Sequence, residues 1–180
     1  MLYMFFAQGF EEVEAIAALD VIRRAGIEIK SVGVGDKIIT GSHAIPVVCD
    51  ITTDEIETFE GVEGIILPGG MPGTLNLYDD SKVLDAVDYC SSNNLLLSAI
   101  CAAPLILGRK NILCGKSAVC FPGFEDELIG AQISDDFVCI CDNVITAKGM
   151  GSAVNFGLSI VSYFKGQAFA DNLKASLQCS

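Results

Sequence analysis

Leu95-Leu96-Leu97-Ser98-Ala99-Ile100-Cys101-Ala102-Ala103-Pro104 is the stretch that decides the fold. Leu95 to Ile100 is an almost unbroken apolar run, as expected of a central strand buried on both faces of a sheet. From Ala102 the pattern turns helical and continues through Gly108. Pro104 suits the first helical turn, where its missing N–H costs nothing. A buried strand that passes directly into a helix belongs to an α/β domain with a mainly parallel sheet.

The chain on either side repeats this alternation. Leu2 to Ala7 reads as another buried strand, turned by Gln8 and Gly9 into a helix over Glu11 to Ala25. That helix carries apolar residues at helical spacing (Val13, Ile16, Ala17, Leu19, Val21, Ile22) and is stopped by Gly26. Ile27 to Val34 reads as a strand, and Lys37 to Cys49 as a β-hairpin turning at Gly41-Ser42. Ile65 to Leu67 is a further buried strand ended by Pro68-Gly69-Gly70, and Ser81 to Cys90 an amphipathic helix. Short strands follow at Ser117 to Cys120, Phe137 to Cys141 and Val144 to Ala147. A long helix over Gly151 to Phe164 and a shorter one after Gly166 complete the order. No repeat or linker interrupts residues 1–180, which read as a single domain. Ligands in such sheets bind beyond the carboxyl ends of the strands. That nominates the turns at Gln8 to Glu14, Pro68 to Gly73, Cys101 to Pro104 and Gly149 to Ser152.

The totals narrow the function classes. The chain has 180 residues, 51% of them hydrophobic, and a formal charge of -12. So acidic a protein has few cations with which to neutralise phosphates, which argues against specific nucleic-acid binding. No run approaches the roughly 20 apolar residues a membrane helix needs, and Met1 to Ala7 is too short and too quickly acidic for a secretory signal. A cytoplasmic location is the expectation. Eight cysteines and one histidine are present. There is no Cys-x-x-Cys, Cys139-x-Cys141 falls on a strand, and His43 is the lone histidine, so no metal is expected. Most of these cysteines lie in apolar stretches and read as small core residues, not disulfide partners.

Cys101 stands apart because it occupies the joint between strand and helix. Ala99-Ile100-Cys101-Ala102-Ala103 follows the small-x-nucleophile-x-small logic of a nucleophile elbow, where bulky neighbours would clash. A helix N-terminus beside the sulfur is expected to favour thiolate, and free backbone N–H groups there can stabilise an oxyanion. Gly69-Gly70 lets backbone approach a ligand closely, but no Walker lysine or G-x-G-x-x-G accompanies it, so no nucleotide is expected. Glu11 and Glu12 read as favourable charges on a helix dipole. Whether Glu14 is another such charge or a partner of Cys101 stays open from the residues alone. His43 lies in the hairpin, and the sequence supplies no Cys-His pair.

Phe6-Ala7-Gln8-Gly9-Phe10-Glu11-Glu12-Val13-Glu14, Asp20-Val21-Ile22-Arg23-Arg24-Ala25-Gly26, Leu67-Pro68-Gly69-Gly70 and Ala99-Ile100-Cys101-Ala102-Ala103-Pro104 closely resemble the ThiJ/PfpI superfamily. The resemblance is nearest to its DJ-one branch, the parkinsonism-associated deglycase-like proteins. It runs through Lys148-Gly149-Met150-Gly151-Ser152 into the final long helix. It implies a flavodoxin-like three-layer sandwich with a mainly parallel central sheet, assembled as a homodimer. It also implies that Cys101 is the nucleophile and redox-sensitive cysteine, and that Glu14 is a protonated glutamate in contact with the thiol. Gly69, Gly70 and Ala102 match residues of the thiol pocket and oxyanion site, and Arg24 a dimer-interface arginine near the pocket. Some members place a histidine immediately before the proline of the strand after the elbow, beside the cysteine. Phe121 stands there in this chain, in Cys120-Phe121-Pro122-Gly123.

The activity implied is that of a cofactor-independent cysteine enzyme on small α-oxoaldehydes, a glutathione-independent glyoxalase or deglycase that turns methylglyoxal into lactate through a Cys-Glu dyad. The alternative is a redox-sensing, stress-protective chaperone acting through oxidation of Cys101. A cysteine peptidase is disfavoured by Phe121, which removes the histidine.

Overall fold

The computed structural model describes residues 1–179. Strand β1 (Leu2–Phe6) leads through helix α1 (Glu12–Arg24) to β2 (Ile29–Gly33). The hairpin β3 (Ile38–Thr40) and β4 (Pro46–Val48) precedes the short β5 (Ile51–Thr52). Next come β6 (Gly64–Leu67), α2 (Gly73–Tyr78), α3 (Ser81–Ser92), β7 (Leu96–Ile100) and α4 (Pro104–Arg109). The chain ends in β8 (Ser117–Ala118), β9 (Gln132–Ile133), β10 (Val138–Cys141), β11 (Val144–Ala147), α5 (Ala153–Lys165) and α6 (Gln167–Ser176).

Seven strands form one sheet in the order β10-β11-β7-β6-β1-β2-β5. Every pairing in it is parallel except β10 with β11. Side chains alternate across a strand, so each strand feeds two cores. Leu2, Met4 and Phe6 of β1, with Ile66, Leu96 and Ile100, pack on Ala15, Ala18 and Ile22 of α1 and Phe156 and Ile160 of α5. Tyr3, Phe5, Ile65, Leu67, Leu97 and Ala99 face the other way, onto Val83 and Val87 of α3 and Leu105 and Ile106 of α4. Helices therefore cover both faces, and the fold is the flavodoxin-like three-layer sandwich expected from the sequence.

β2 lies to one side of β1 and β6 to the other. The crossover from β1 runs to β2 and that from β6 runs the opposite way to β7, opening a crevice beyond the carboxyl ends of β1 and β6. Next to it stands β7, the strand that ends at the elbow.

Some details depart from the sequence reading. The elbow helix begins at Pro104, with Cys101 to Ala103 in a turn. The strand expected over Ser117 to Cys120 is only Ser117–Ala118, and it pairs with β9 in a separate two-stranded sheet. Beyond it the Val119 N–H turns to the Thr146 hydroxyl (2.9 Å), which fastens this segment to β11 through a side chain. The short α2, β5 and β9 have no counterpart in the sequence reading.

Candidate functional site

Cys101 has φ +64, the left-handed region that side chains other than glycine rarely occupy. Such a conformation persists only where the surroundings hold it. Here the Cys101 N–H donates to the Ala147 carbonyl at the end of β11 (2.9 Å), and its own carbonyl accepts from the Phe121 N–H (2.8 Å). The Ala103 N–H closes the turn onto the Ile100 carbonyl (3.0 Å). The sulfur is thereby fixed at the mouth of the crevice, partly exposed.

The glycine turn after β6 lies against it. A Cβ on Gly69 would fall 2.5 Å from the Cys101 Cβ and 2.5 Å from Glu14 Oε2, so only hydrogen fits between the Cys101 side chain and the carboxyl. Gly70 has φ +91, and a Cβ there would fall 2.3 Å from the Glu11 nitrogen. The N–H groups of Gly70 and Ala102 are directed at the Cys101 sulfur.

Glu14 is buried at 1% exposure in the first turn of α1. Glu11 caps that helix by accepting the Glu14 N–H at 2.7 Å, which sets the register that turns Glu14 inward. Its carboxyl accepts from the Gly69 N–H (3.1 Å) and from the Met150 N–H, and lies beside the thiol. Burial pushes the Glu14 carboxyl up to about 7; Glu11 adds to this, while the Cys101, Gly69 and Met150 contacts oppose it. The turns at Gln8 to Glu14, Pro68 to Gly73, Cys101 to Pro104 and Gly149 to Ser152 do converge, as the sheet topology requires.

One electrostatic expectation is reversed. Burial, and then the charge and hydrogen bonding of Glu14, push the Cys101 thiol up to about 12. The Gly70 and Ala102 N–H groups oppose this shift without cancelling it. Beside an ionised Glu14 the sulfur therefore keeps its proton. A proton on Glu14 removes the repulsion and supplies a donor, leaving burial as the upward influence that the Gly70 and Ala102 N–H groups oppose.

Other expected residues lie elsewhere. Arg24 sits at the far end of α1, about 15 Å along the axis from Glu14, and pairs with Asp20 at 2.6 Å. The single chain does not bring it to Cys101. Glu12 is no solvated dipole charge: it is 4% exposed and holds the hairpin tip. It accepts the His43 N–H (2.6 Å) and the Ser42 hydroxyl (3.3 Å), and its Oε2 lies 2.9 Å from His43 Nδ1. Burial alone would raise its carboxyl, but the His43 side-chain and backbone hydrogen bonds hold it down at about 2. Glu11, Glu12 and His43 gather ligand-type atoms within 4.8 Å, but the Glu12 oxygens are already committed to the hairpin. Cys49, Cys90, Cys120 and Cys139 are buried as read from the sequence, whereas Cys114 is exposed. Among the described residues no helix is long and apolar enough to cross a membrane.

A model of the DJ-1/PfpI family matches residues 1–163, a span that holds every group of this site. The chain belongs to the DJ-1/PfpI family. It is 32% identical to Protein dj-1beta of Drosophila melanogaster over 164 residues, covering 89% of this chain and 87% of that protein. Glutathione-independent glyoxalase DJR-1.2 of Caenorhabditis elegans is 29% identical over 165 residues, covering 91% and 87%. Among solved structures, oxidized Toxoplasma gondii DJ-1 superposes with a TM-score of 0.94 at 29% identity, covering 99% of this chain and 98% of its own. In this DJ-1/PfpI protein the position before Pro122 is occupied by the half-exposed Phe121.

Proposed function

We propose that this DJ-1/PfpI protein is a cofactor-independent, glutathione-independent enzyme that converts small α-oxoaldehydes to 2-hydroxy acids, methylglyoxal to lactate. The observation that carries this reading is the buried Glu14 carboxyl, raised to about 7, set beside a thiol at which the Gly70 and Ala102 N–H groups aim. The name of the Caenorhabditis elegans relative supports the same chemistry.

In this mechanism Cys101 Sγ attacks the aldehyde carbon while Glu14 takes the thiol proton. Glu14 returns it to the oxygen, giving a hemithioacetal. The Gly70 and Ala102 N–H groups stabilise the oxyanion as it forms. Glu14 then removes the proton on C1 and, through an enediol, delivers it to C2. The aldehyde carbon is oxidised and the ketone carbon reduced, so no external oxidant enters. The resulting thioester is hydrolysed by water, which releases the hydroxy acid and restores the thiol. A carboxyl near 7 suits both directions of transfer at neutral pH. A deglycase acting on early glycation products would use the same adduct.

The reading includes a homodimer in the cytoplasm, where the free thiol stays reduced. Val13 and Ile16 expose apolar surface on α1 (47% and 40%), and only a second copy would bring Arg24 to a pocket. Purified protein mixed with methylglyoxal is expected to yield lactate without glutathione. Activity should fall in step with iodoacetamide modification of Cys101, followed by peptide mass. The absence of lactate, or activity that survives full modification, removes the proposal.

A second reading, oxidation sensing at Cys101, is supported by the same N–H groups, which would accept sulfinate oxygens. Mild peroxide should then oxidise Cys101 ahead of Cys114, the exposed cysteine. Equal oxidation of the two by mapped mass would overturn it. A peptidase gains no support, because His43 is engaged with Glu12 and Phe121 replaces the histidine beside the elbow.

A further inference from the structure

An apolar cleft lies next to the elbow. Phe121, Pro122, Phe137 and Met150 line a cleft of about 370 Å³, with Lys148 and Gly149 between them. In the single chain Phe121, Phe137 and Met150 are 48%, 69% and 55% exposed, so hydrophobic side chains gather close to Cys101. The cleft is tied to the elbow, because the Phe121 N–H is bonded to the Cys101 carbonyl.

Gly149 lies next to both the cleft and Glu14. A Cβ at this position would lie 3.2 Å from the Phe121 ring and 3.9 Å from Glu14 Oε1. One methyl group would therefore stand between the aromatic ring and the carboxyl. Gly149 has φ 163, extended backbone open to any residue. What glycine supplies is room. The cleft volume falls within the range typical of small-ligand pockets.

We propose that this cleft is the subsite for the substituent on the α-oxoaldehyde, so that aryl and branched-alkyl 2-oxoaldehydes are preferred over methylglyoxal. The inference rests on the oxoaldehyde reading above and names its substrate class. The aldehyde carbon reaches Cys101 Sγ and the neighbouring carbonyl faces Glu14. The substituent passes Gly149 and lies against Phe121 and Met150. Phenylglyoxal plus water then gives mandelate by the same internal transfer of hydrogen from C1 to C2. A histidine at 121 would place a polar ring on this wall, which favours small, hydrated substrates.

The test compares kcat/KM for phenylglyoxal and methylglyoxal in the wild type, Phe121→His and Met150→Gln. Both side chains are substantially exposed, so both variants should fold. Phenylglyoxal should be favoured about tenfold or more in the wild type, and the ratio should drop about tenfold in Phe121→His, the scale at which a hydrophobic pocket discriminates. A ratio near one, or one that neither substitution moves, overturns the proposal. A second measurement is independent of turnover. Cys101 is alkylated by N-phenyl iodoacetamide in competition with iodoacetamide, each losing iodide to the sulfur, and the two adducts are counted by mass. A phenyl preference lost in Phe121→His, with no oxoaldehyde turnover, keeps the apolar subsite and overturns the reaction. No phenyl preference in either measurement overturns the subsite.

Discussion

Glu14→Gln is expected to lower methylglyoxal turnover by about 10³-fold while raising, by about tenfold, the rate at which iodoacetamide alkylates Cys101 near pH 7. The two effects have opposite signs because they read different properties of one side chain. In the proposed mechanism turnover needs a group that takes a proton from the thiol and later carries one between adjacent carbons, and an amide does neither. Loss of a positioned acid-base group typically costs 10²–10⁴ in rate. Alkylation, by contrast, follows the population of thiolate. Burial first, and then the charge on Glu14 and the hydrogen bond it accepts, push the Cys101 thiol up to about 12, and only the Glu14 part is removed by the substitution. Glutamine removes that charge and turns an N–H toward the sulfur. The measurement is a paired one on a single preparation, lactate release and mapped alkylation. If alkylation falls along with turnover, the carboxylate activates the thiol rather than restraining it, and the assignment of charge in the dyad is wrong.

That sign could not be read from the chain. The elbow was legible in Leu95 to Pro104 because steric rules and hydrophobic period act locally: a buried run, small residues around one cysteine, and a proline placed for a first turn. The alternation of strands and helices was legible for the same reason, and with it the end of the sheet where function should be sought. Glu14 was harder. Its inward position comes with Glu11 capping α1 and with tertiary packing against Gly69, so the residues alone left its role open and the family resemblance supplied it. The thiol's proton affinity depends on burial and on the neighbouring carboxyl, both products of tertiary packing. Glu12 shows the same limit. Next to Glu11 it looks like a helix-dipole charge, yet its partners Ser42 and His43 arrive from a hairpin far along the chain. β8 and β9 are too short for any period to reveal them, and α2 follows directly on a glycine- and proline-rich turn.

The second large effect is on stability. Glu14 has an ordinary carboxyl near 4.5 in the unfolded chain and is raised to about 7 in the fold. A group whose folded value is raised contributes stability that is fully present below about pH 4.5. That contribution is lost as pH rises toward 7, because the buried site must then hold a charge. At about 1.4 kcal/mol per unit of pKa, the wild type should lose about 3 kcal/mol relative to Glu14→Gln between these limits. At 1% exposure the carboxyl has little solvent to screen it. Glu12, held at about 2, slopes the other way, since its contribution is present above 4.5 and lost as pH falls toward 2. Both proteins share that slope, so it cancels in their difference. Urea unfolding of the pair between pH 4.5 and 8 is the measurement. A difference that stays constant across the range would mean that Glu14 titrates normally, and the dyad would lose its group poised near neutrality. A falling difference would tie the destabilisation to the proposed reaction, since the burial that makes Glu14 costly to ionise is also what keeps its proton exchangeable near neutral pH.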